Sequence, residues 1–304
     1  TTGTENVAIG GDALKTATTV SANTAVGYRA LEDCAAGDNT AVGDGAARET
    51  TTGVSNVAVG AYALLTNTTG AHNTAIGKDA LYANTTGDGN TAVGRDALQT
   101  TTEADNNTAV GVECLESNTT GYENTYVGKG AGDSVTTGYG NVGVGASAGA
   151  GLTTALHNIA IGNGTMSGAN GNYNIAMSYG ALSTIGTAQQ NVGIGFRCGE
   201  ATNRNSNTLV GVYTARYPMV TQSVAIGGSA MYGVAESTAD VDGCVSVGNA
   251  SLYGITTGDY NTALGYKAGE AVTTGSNNIF LGFESGITGS PGGAITTGSN
   301  EVCV

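Results

Sequence analysis

The sequence predicts an all-β fold, a parallel β-solenoid, on three observations. One short unit recurs along the 304 residues, and its clearest copy, 73–89, reads Asn-Thr-Ala-Ile-Gly-Lys-Asp-Ala-Leu-Tyr-Ala-Asn-Thr-Thr-Gly-Asp-Gly. Most copies follow each other at steps of 16 or 17 residues, a period typical of coils that contact only their neighbours. Each copy also contains a short alternating segment, rich in β-branched residues, that ends in Gly.

We number the repeat from its first Asn as position one. The copies begin at Asn6, Asn23, Asn39, Asn56, Asn73, Asn90, Asn107, Asn124, Asn141, Asn158, Asn174, Asn191, Asn207, Ser223, Cys244, Asn261, Asn278 and Glu301. Two coils, 223–243 and 278–300, are longer than the rest. The sustained period predicts a single continuous solenoid domain over 1–304, of about 17 coils. Because both ends of the sequence fall inside a repeat, we expect the natural protein to continue in both directions.

The alternating segment at positions two to five predicts a strand of about four residues. Position four is apolar in every copy, so we predict that it faces the coil interior, together with position two. In the first ten coils the predicted structural core is Ile9, Val26, Val42, Val59, Ile76, Val93, Val110, Val127, Val144 and Ile161.

Positions three and five, mostly Ala and Gly, would then form an outer face of small residues. Small side chains let backbones approach closely, which favours a homotrimer in which this face of three chains surrounds a common axis. However, position three also holds Tyr126, Leu209 and Phe280, which would crowd such an axis. Either the bundle is wider at these coils or the two faces are assigned the wrong way round.

The remaining repeat positions predict the second wall of the core and the turns. Ala-Leu, or Ala-Gly in later coils, occupies positions eight and nine and supplies the second wall. Thr-Thr-Gly at positions thirteen to fifteen predicts a turn in which Gly has a positive φ. Asn at position one predicts a ladder of stacked amides at a turn. In the regular part of the chain this ladder comprises Asn23, Asn39, Asn56, Asn73, Asn90, Asn107, Asn124 and Asn141.

Composition and charge exclude several classes of partner. A net charge of -14 argues against nucleic acid, whose phosphates the chain would repel. No apolar run approaches the roughly 18 residues of a transmembrane helix, so we expect no membrane insertion. The five cysteines show no zinc-binding spacing, and we interpret Cys114 and Cys198, which replace Ala, as buried thiols.

The repeat motifs resemble those of known fibrous proteins. Asn-Val-Ala-Ile-Gly at 6–10, Ser-Val-Ala-Ile-Gly at 223–227 and Asn-Thr-Ala-Val-Gly at 23–27 resemble the core motif of the head domains of trimeric autotransporter adhesins. The longer Asn-Thr-Ala-Val-Gly-x-x-Ala-Leu-x-x-Asn-Thr-Thr-Gly repeat is similar to repeats in tail fibre and appendage proteins of phages. Adhesin heads differ in using a somewhat shorter coil.

The resemblance implies a left-handed parallel β-solenoid that assembles as a homotrimer. It also implies a structural and adhesive fibre segment on an extracellular surface or a virion appendage, which attaches to a glycan or protein receptor on a host surface.

Enzymatic chemistry has little support in the sequence. No nucleophile–base order, nucleotide-binding loop or cofactor motif occurs, so we predict no enzyme activity and no cofactor. Asp79, Asp96 and Glu113 share position seven in successive coils, where like charges would lie about 5 Å apart. Lys78 and Arg95 are the ready counter-ions for these carboxylates, and a divalent cation such as Ca²⁺ is the alternative.

Three alternatives to a fibre segment with an adhesive role are open from the sequence. The chain could be a self-assembling extracellular filament or surface-layer component. It could bind ice, but that requires a flat face with Thr ladders in register, and position two varies between Thr, Val and Ile. It could also bind carbohydrate. Insertions in a solenoid map to loops that often bind partners, so the longer coils at 223–243 and 278–300 are candidate receptor contacts.

Overall fold

A computed structural model describes residues 2–217, 219–233, 240–287 and 295–304. The described residues are all-β, contain no helix and form parallel β-solenoid coils, about 16 turns in all. The chain divides into two compact units, unit 1 (Thr1–Leu156) and unit 2 (His157–Val304). The predicted fold class, a parallel β-solenoid, is confirmed.

One short strand begins each coil. In unit 1 the strands are β1 (Val7–Ile9), β2 (Thr24–Val26), β3 (Thr40–Val42), β4 (Val57–Val59), β5 (Thr74–Ile76), β6 (Thr91–Val93), β7 (Thr108–Val110), β8 (Thr125–Val127) and β9 (Val142–Val144). In unit 2 they are β10 (Ile159–Ile161), β11 (Ile175–Met177), β12 (Val192–Ile194), β13 (Thr208–Val210), β14 (Met219–Thr221), β15 (Val224–Ile226), β16 (Asp240–Asp242), β17 (Val245–Val247), β18 (Thr262–Leu264), β19 (Ile279–Leu281) and β20 (Val302–Cys303).

Strands of successive coils pair in parallel, in register with the repeat. Thr91 of β6 lies beside Thr108 of β7, and Val93 lies beside Val110, so each repeat position forms a column within a unit. Two strands of unit 2, β14 and β16, stand outside this arrangement and pair with each other. The periodicity of the sequence is thus the periodicity of the sheet.

The orientation of the strands is opposite to the one predicted. The side chain that faces the interior is position three, such as Ala25, Ala58 and Ala92, which is fully buried. Position four lies on the outside, where Ile9 is 60% exposed and Ile76 is 39% exposed. The prediction of a structural core at position four is therefore wrong. The residues it placed inside are all partly or fully exposed: Ile9, Val26, Val42, Val59, Ile76, Val93, Val110, Val127, Val144 and Ile161.

The physical reason is that each coil encloses very little space. Leu at position nine enters the interior from the opposite wall and is fully buried, as at Leu64, Leu81 and Leu98. The strand side therefore contributes only a methyl group, because an interior is packed without room for a second branched side chain. The Ala column is an inner wall, and it is not a surface at which three chains could meet.

Large residues at position three are accommodated by glycine around them. Tyr126 is fully buried, and a Cβ added to Gly132 or Gly143 would lie 2.7 or 2.2 Å from its ring. In unit 2, a Cβ added to Gly269 or Gly286 would meet the buried ring of Phe280 at 2.8 or 2.4 Å. Aromatic residues at position three thus replace the missing Leu of position nine.

Glycine closes the corner after most strands for a conformational reason. Gly94 has a φ of +140°, and a Cβ there would lie 2.3 Å from the carbonyl oxygen of Gly111. A side chain is therefore excluded both by backbone conformation and by the next coil. The Gly of Thr-Thr-Gly differs from expectation, because its φ is not positive. A Cβ on Gly70 would instead collide with the carboxamide of Asn67.

The two longer coils fall partly outside the described residues. The structure does not describe 234–239 within coil 223–243, nor 288–294 within coil 278–300. After the first gap, Asp240 begins β16, and its carboxylate accepts a hydrogen bond from Arg204 Nε at 3.1 Å. The prediction that these coils contact a receptor therefore remains a prediction.

We predict that Gly143→Ala destabilises the protein by about 3 kcal/mol, because the new methyl group overlaps the ring of Tyr126 in a closed interior. In a Tyr126→Ala background the same change should cost less than about 0.5 kcal/mol, since the obstructing ring is gone. Urea unfolding of the four proteins in this cycle measures both values. Equal costs in the two backgrounds would contradict this packing.

Candidate functional site

The outward residues of the strands form the most regular exposed surface of the protein. We call the columns at repeat positions two and four the sheet face. In unit 1, Thr74, Thr91 and Thr108 alternate with the exposed Ile76 and the half-buried Val93 along successive strands. Neighbouring side chains in each column are about 4.8 Å apart. A long outward column of aliphatic residues is unusual for a surface in contact with water and makes the sheet face the candidate interaction surface.

Charged residues border the sheet face differently on its two edges. All lysines and arginines except Arg204 lie at repeat positions six to ten, which follow the strand. The residues just before the strand, at positions sixteen and seventeen, include exposed acids and no Lys or Arg. In unit 1 the exposed cations after the strand are Lys78, Arg95 and Lys129, and the exposed acids before the strand are Asp88, Asp105 and Glu123. The sheet face of unit 1 therefore has one edge of mixed charge, on which cations such as Lys78 and Arg95 lie beside carboxylates, and one edge whose charged residues are acids.

In unit 2, four of the eight residues at position six, just after the strand, are aromatic. Tyr179 and Phe196, both at position six, stack with ring centroids 5.5 Å apart, and Phe196 meets the edge of Tyr213 at 5.3 Å. Tyr266 and Phe283 form a similar stacked pair at 5.4 Å. Phe283 is 72% exposed, so these aromatic residues add apolar surface beside the sheet face.

Arg216 is held within this aromatic edge rather than offered to a ligand. Its guanidinium lies 4.8 Å from the ring centroids of both Tyr213 and Tyr217. Its Nε donates a hydrogen bond to Glu200 at 2.8 Å. The arginine therefore makes an internal cation–π and ionic contact that fixes the tyrosines.

The position-one asparagines lie buried inside the coils and bond from one coil to the next. The backbone N–H of Asn107 donates to Oδ1 of Asn90 at 3.0 Å. The side-chain Nδ2 of Asn107 donates to the same oxygen at 3.2 Å and to the carbonyl of Gly121 at 2.8 Å. The equivalent backbone bond joins Asn23, Asn39, Asn56, Asn73, Asn90, Asn107, Asn124 and Asn141 in order. This ladder is internal, which leaves its amides no access to a ligand.

Two coils of unit 2 replace the Asn but keep an acceptor at the same place. Ser223 Oγ accepts the backbone N–H of Cys244 at 3.1 Å, and Cys244 Sγ accepts the backbone N–H of Asn261 at 3.3 Å. What these coils share is a buried acceptor for the backbone N–H at position one of the next coil, and the Asn carboxamide is the usual group that provides it.

A second internal amide ladder, at position twelve, was not predicted. Asn67 and Asn84 are fully buried, and Nδ2 of Asn84 donates to Oδ1 of Asn67 at 2.9 Å. Each also donates to the carbonyl of the Gly three residues later, Gly70 and Gly87. The Asn-Thr-Thr-Gly sequence carries the signal, although it occurs only at 67–70, 84–87 and 118–121 and is much less regular than the Asn at position one.

The three carboxylates considered for a metal are paired with cations. Lys78 Nζ lies 2.6 Å from Asp79, and Arg95 lies 2.5 Å from Asp96 and 2.6 Å from Glu113. The hydrogen bond from Lys78 to Asp79 raises the pKa of the lysine. Among the described residues, no group of three or more His, Cys, Asp or Glu side chains could hold a metal ion.

All five cysteines are buried and form no disulfide. Burial raises the pKa of Cys114 and of Cys198 to about 12, and that of Cys244 to about 11. The thiols at these three sites therefore stay protonated at neutral pH and act as small apolar groups.

Comparison of the chain with models of protein families, with curated proteins and with solved structures gave no match. The described part of the chain also contains no helix that is long and apolar enough to cross a membrane. The fold defines the chain as a β-solenoid repeat protein. The resemblance to fibre and adhesin repeats rests on the repeat motifs alone.

We predict that Asn107→Ala lowers the free energy of unfolding by about 2 kcal/mol, since the buried N–H of Asn124 loses its acceptor, while the carbonyl of Gly121 keeps Asn118 as its donor. Asn107→Ser should cost about half as much, because Ser223 shows that a hydroxyl can accept the next N–H. The midpoint of urea unfolding measures both, with the exposed Thr86→Ala as control. Equal losses of unfolding free energy for the Ala and Ser variants would show that the side-chain acceptor at this position does not determine stability.

Proposed function

We propose that this chain is a structural and adhesive fibre segment whose copies associate side by side through the sheet face. The observation that carries the proposal is the outward apolar column at position four, mostly Val and Ile, present on every paired coil of both units. Such a column gains stability by leaving water, and the narrow coil interior cannot receive it. An identical copy presents the same column with the same period, so it is the partner that fits along the whole length of a unit.

The two unlike edges of unit 1 support copies that run parallel. If two chains face each other with parallel axes, the edge bearing Lys78 and Lys129 on one chain lies opposite the edge bearing Asp88 and Glu123 on the other. Antiparallel chains would place each edge against its own kind, with acids facing acids. Charge complementarity therefore favours a cyclic arrangement about an axis parallel to the solenoid.

The number of copies in our proposal is three, and the solenoid is left-handed, as the resemblance to adhesin heads and phage fibres implies. The fibre would hold a distal surface away from its base, outside the cell or on a virion. Attachment to a host glycan or protein is part of the proposal. Binding of the assembled protein to glycan arrays and to intact cells tests that part.

We expect the chain to have a solution mass three times its 29.8 kDa. One charge in the sheet face of each unit, Val93→Asp with Ile226→Asp, should produce monomers, because buried unpaired carboxylates would oppose association. Light scattering after size exclusion measures the mass. The control is Thr86→Asp with Thr257→Asp, which places the same charges at exposed turn positions. A monomeric parent protein would refute the proposal, and a polydisperse mass would favour a filament.

Ice binding is a second candidate, because the sheet face presents Thr beside an aliphatic column in register. Thr74, Thr91, Thr108 and Thr125 follow each other on four successive strands. This is closer to the regular Thr array that ice binding requires than the sequence suggested, since position two was expected to point inward.

Under this alternative, the protein should inhibit ice recrystallisation, and Thr91→Leu with Thr108→Leu should abolish the inhibition by removing hydroxyl groups from the array. The same pair of changes should leave self-association intact or strengthen it, because both make the face more apolar. A recrystallisation assay beside the light-scattering measurement separates the two functions. Absence of inhibition by the parent protein eliminates ice binding.

A further inference from the structure

The sheet faces of the two units differ in composition although their interiors are alike. In unit 1, position two is Thr on most strands: Thr24, Thr40, Thr74, Thr91, Thr108 and Thr125. In unit 2, the same position is mostly Val or Ile: Ile159, Ile175, Val192, Val224, Val245, Ile279 and Val302. Since position four is apolar in both units, the face of unit 2 is mostly apolar in both of its columns, whereas the position-two column of unit 1 is mostly Thr.

The adjoining edge shows the same difference. At position six, unit 1 carries the exposed cations Lys78, Arg95 and Lys129 and a single aromatic residue, Tyr28. Unit 2 carries Tyr179 and Phe196 in one stacked pair and Tyr266 and Phe283 in another. The apolar surface of unit 2 is therefore wider as well as more continuous.

On the basis of the function proposed above, we infer that the two units divide the work of assembly between them. Unit 2 holds copies of the chain together through its wide apolar sheet face. Unit 1, with Thr on its face and unlike charges on its edges, fixes the direction and register of the copies and adds little affinity. The partner on both faces is a second copy of this chain, running parallel.

Apolar contacts and exposed ion pairs contribute differently to association, one mainly to affinity and the other mainly to orientation. Removing apolar side chains from water is the main favourable term in association, and aromatic residues such as Phe196 and Phe283 contribute most per residue. Exposed ion pairs contribute little affinity but reject wrong orientations, because like charges would meet in them. The exposed edges of unit 1 are of this second kind.

The repeat offers a matched pair of positions for the test. Ile76 in unit 1 and Ile194 in unit 2 are the same residue at the same repeat position, and they are 39% and 36% exposed. They differ in their surroundings. Ile76 shares its strand with Thr74 and precedes Lys78, whereas Ile194 shares its strand with Val192 and precedes Phe196.

We expect Ile194→Asp to raise the dissociation constant of the assembly at least tenfold more than Ile76→Asp does, as measured by sedimentation at graded protein concentrations. The milder pair Ile194→Thr and Ile76→Thr repeats the comparison if an Asp variant fails to fold, which circular dichroism detects. Equal effects, or a larger effect at Ile76, would overturn the inference. A monomeric parent protein would instead refute the proposed self-association, so the two failures are distinguishable.

Charge reversal in unit 1 tests the second half of the inference, that the charged edges set orientation and add little affinity. Lys78→Glu with Lys129→Glu should slow association at low salt and leave the dissociation constant at high salt within about threefold of the parent, because screening removes the contribution of these edges. Measuring association rates at low and high salt gives both values. A large loss of affinity that persists at high salt would show that unit 1 supplies more than direction and register.

Discussion

The narrow interior of each coil is the constraint on which the rest of this structure depends. Leu98 from one wall and Ala92 from the strand are both fully buried, and no space remains for a branched residue from the strand. Position three must therefore be small, or be flanked by glycine where it is large, as around Tyr126. The aliphatic residue at position four has no place inside and lies on the surface.

A core this thin buries little apolar area for each coil, so hydrogen bonds contribute an unusually large part of the structural stability. Asn90 and Asn107 lie inside the coils, where their side-chain oxygens accept the backbone N–H groups of Asn107 and Asn124, which would otherwise be buried without partners. Because leaving one such group unpaired costs more than a formed bond contributes, the ladders act mainly by preventing a penalty. This explains why Ser223 and Cys244 can replace Asn: each retains an acceptor in the same place.

The sequence specified the strands and their register, but not which of their faces lies inside. Periodicity alone predicts a strand at positions two to five, of which the structure forms positions two to four, and the amide column at position one follows from the same repeat. Alternation is compatible with either orientation, and the rule that aliphatic residues are buried favoured the wrong one. The deciding quantity is the volume enclosed by the coil, which depends on contacts between opposite walls. The sequence did contain a signal of the true orientation. Position nine is Gly132 instead of Leu beside Tyr126, and it is Gly269 and Gly286 beside Phe280.

Burial of aliphatic residues is a rule about water, and it does not require that they be buried within one chain. Here Ile76 and Ile194 are exposed in the single chain because the coil cannot hold them. Under the proposed assembly these columns meet their copies, so the residues that the sequence marks as a core would form one, shared between chains. An apolar column that is excluded from the interior and yet recurs in every coil needs a second surface to account for it. An identical column on another copy has the right chemistry and period, and the unlike charges at the edges of unit 1 favour a parallel approach.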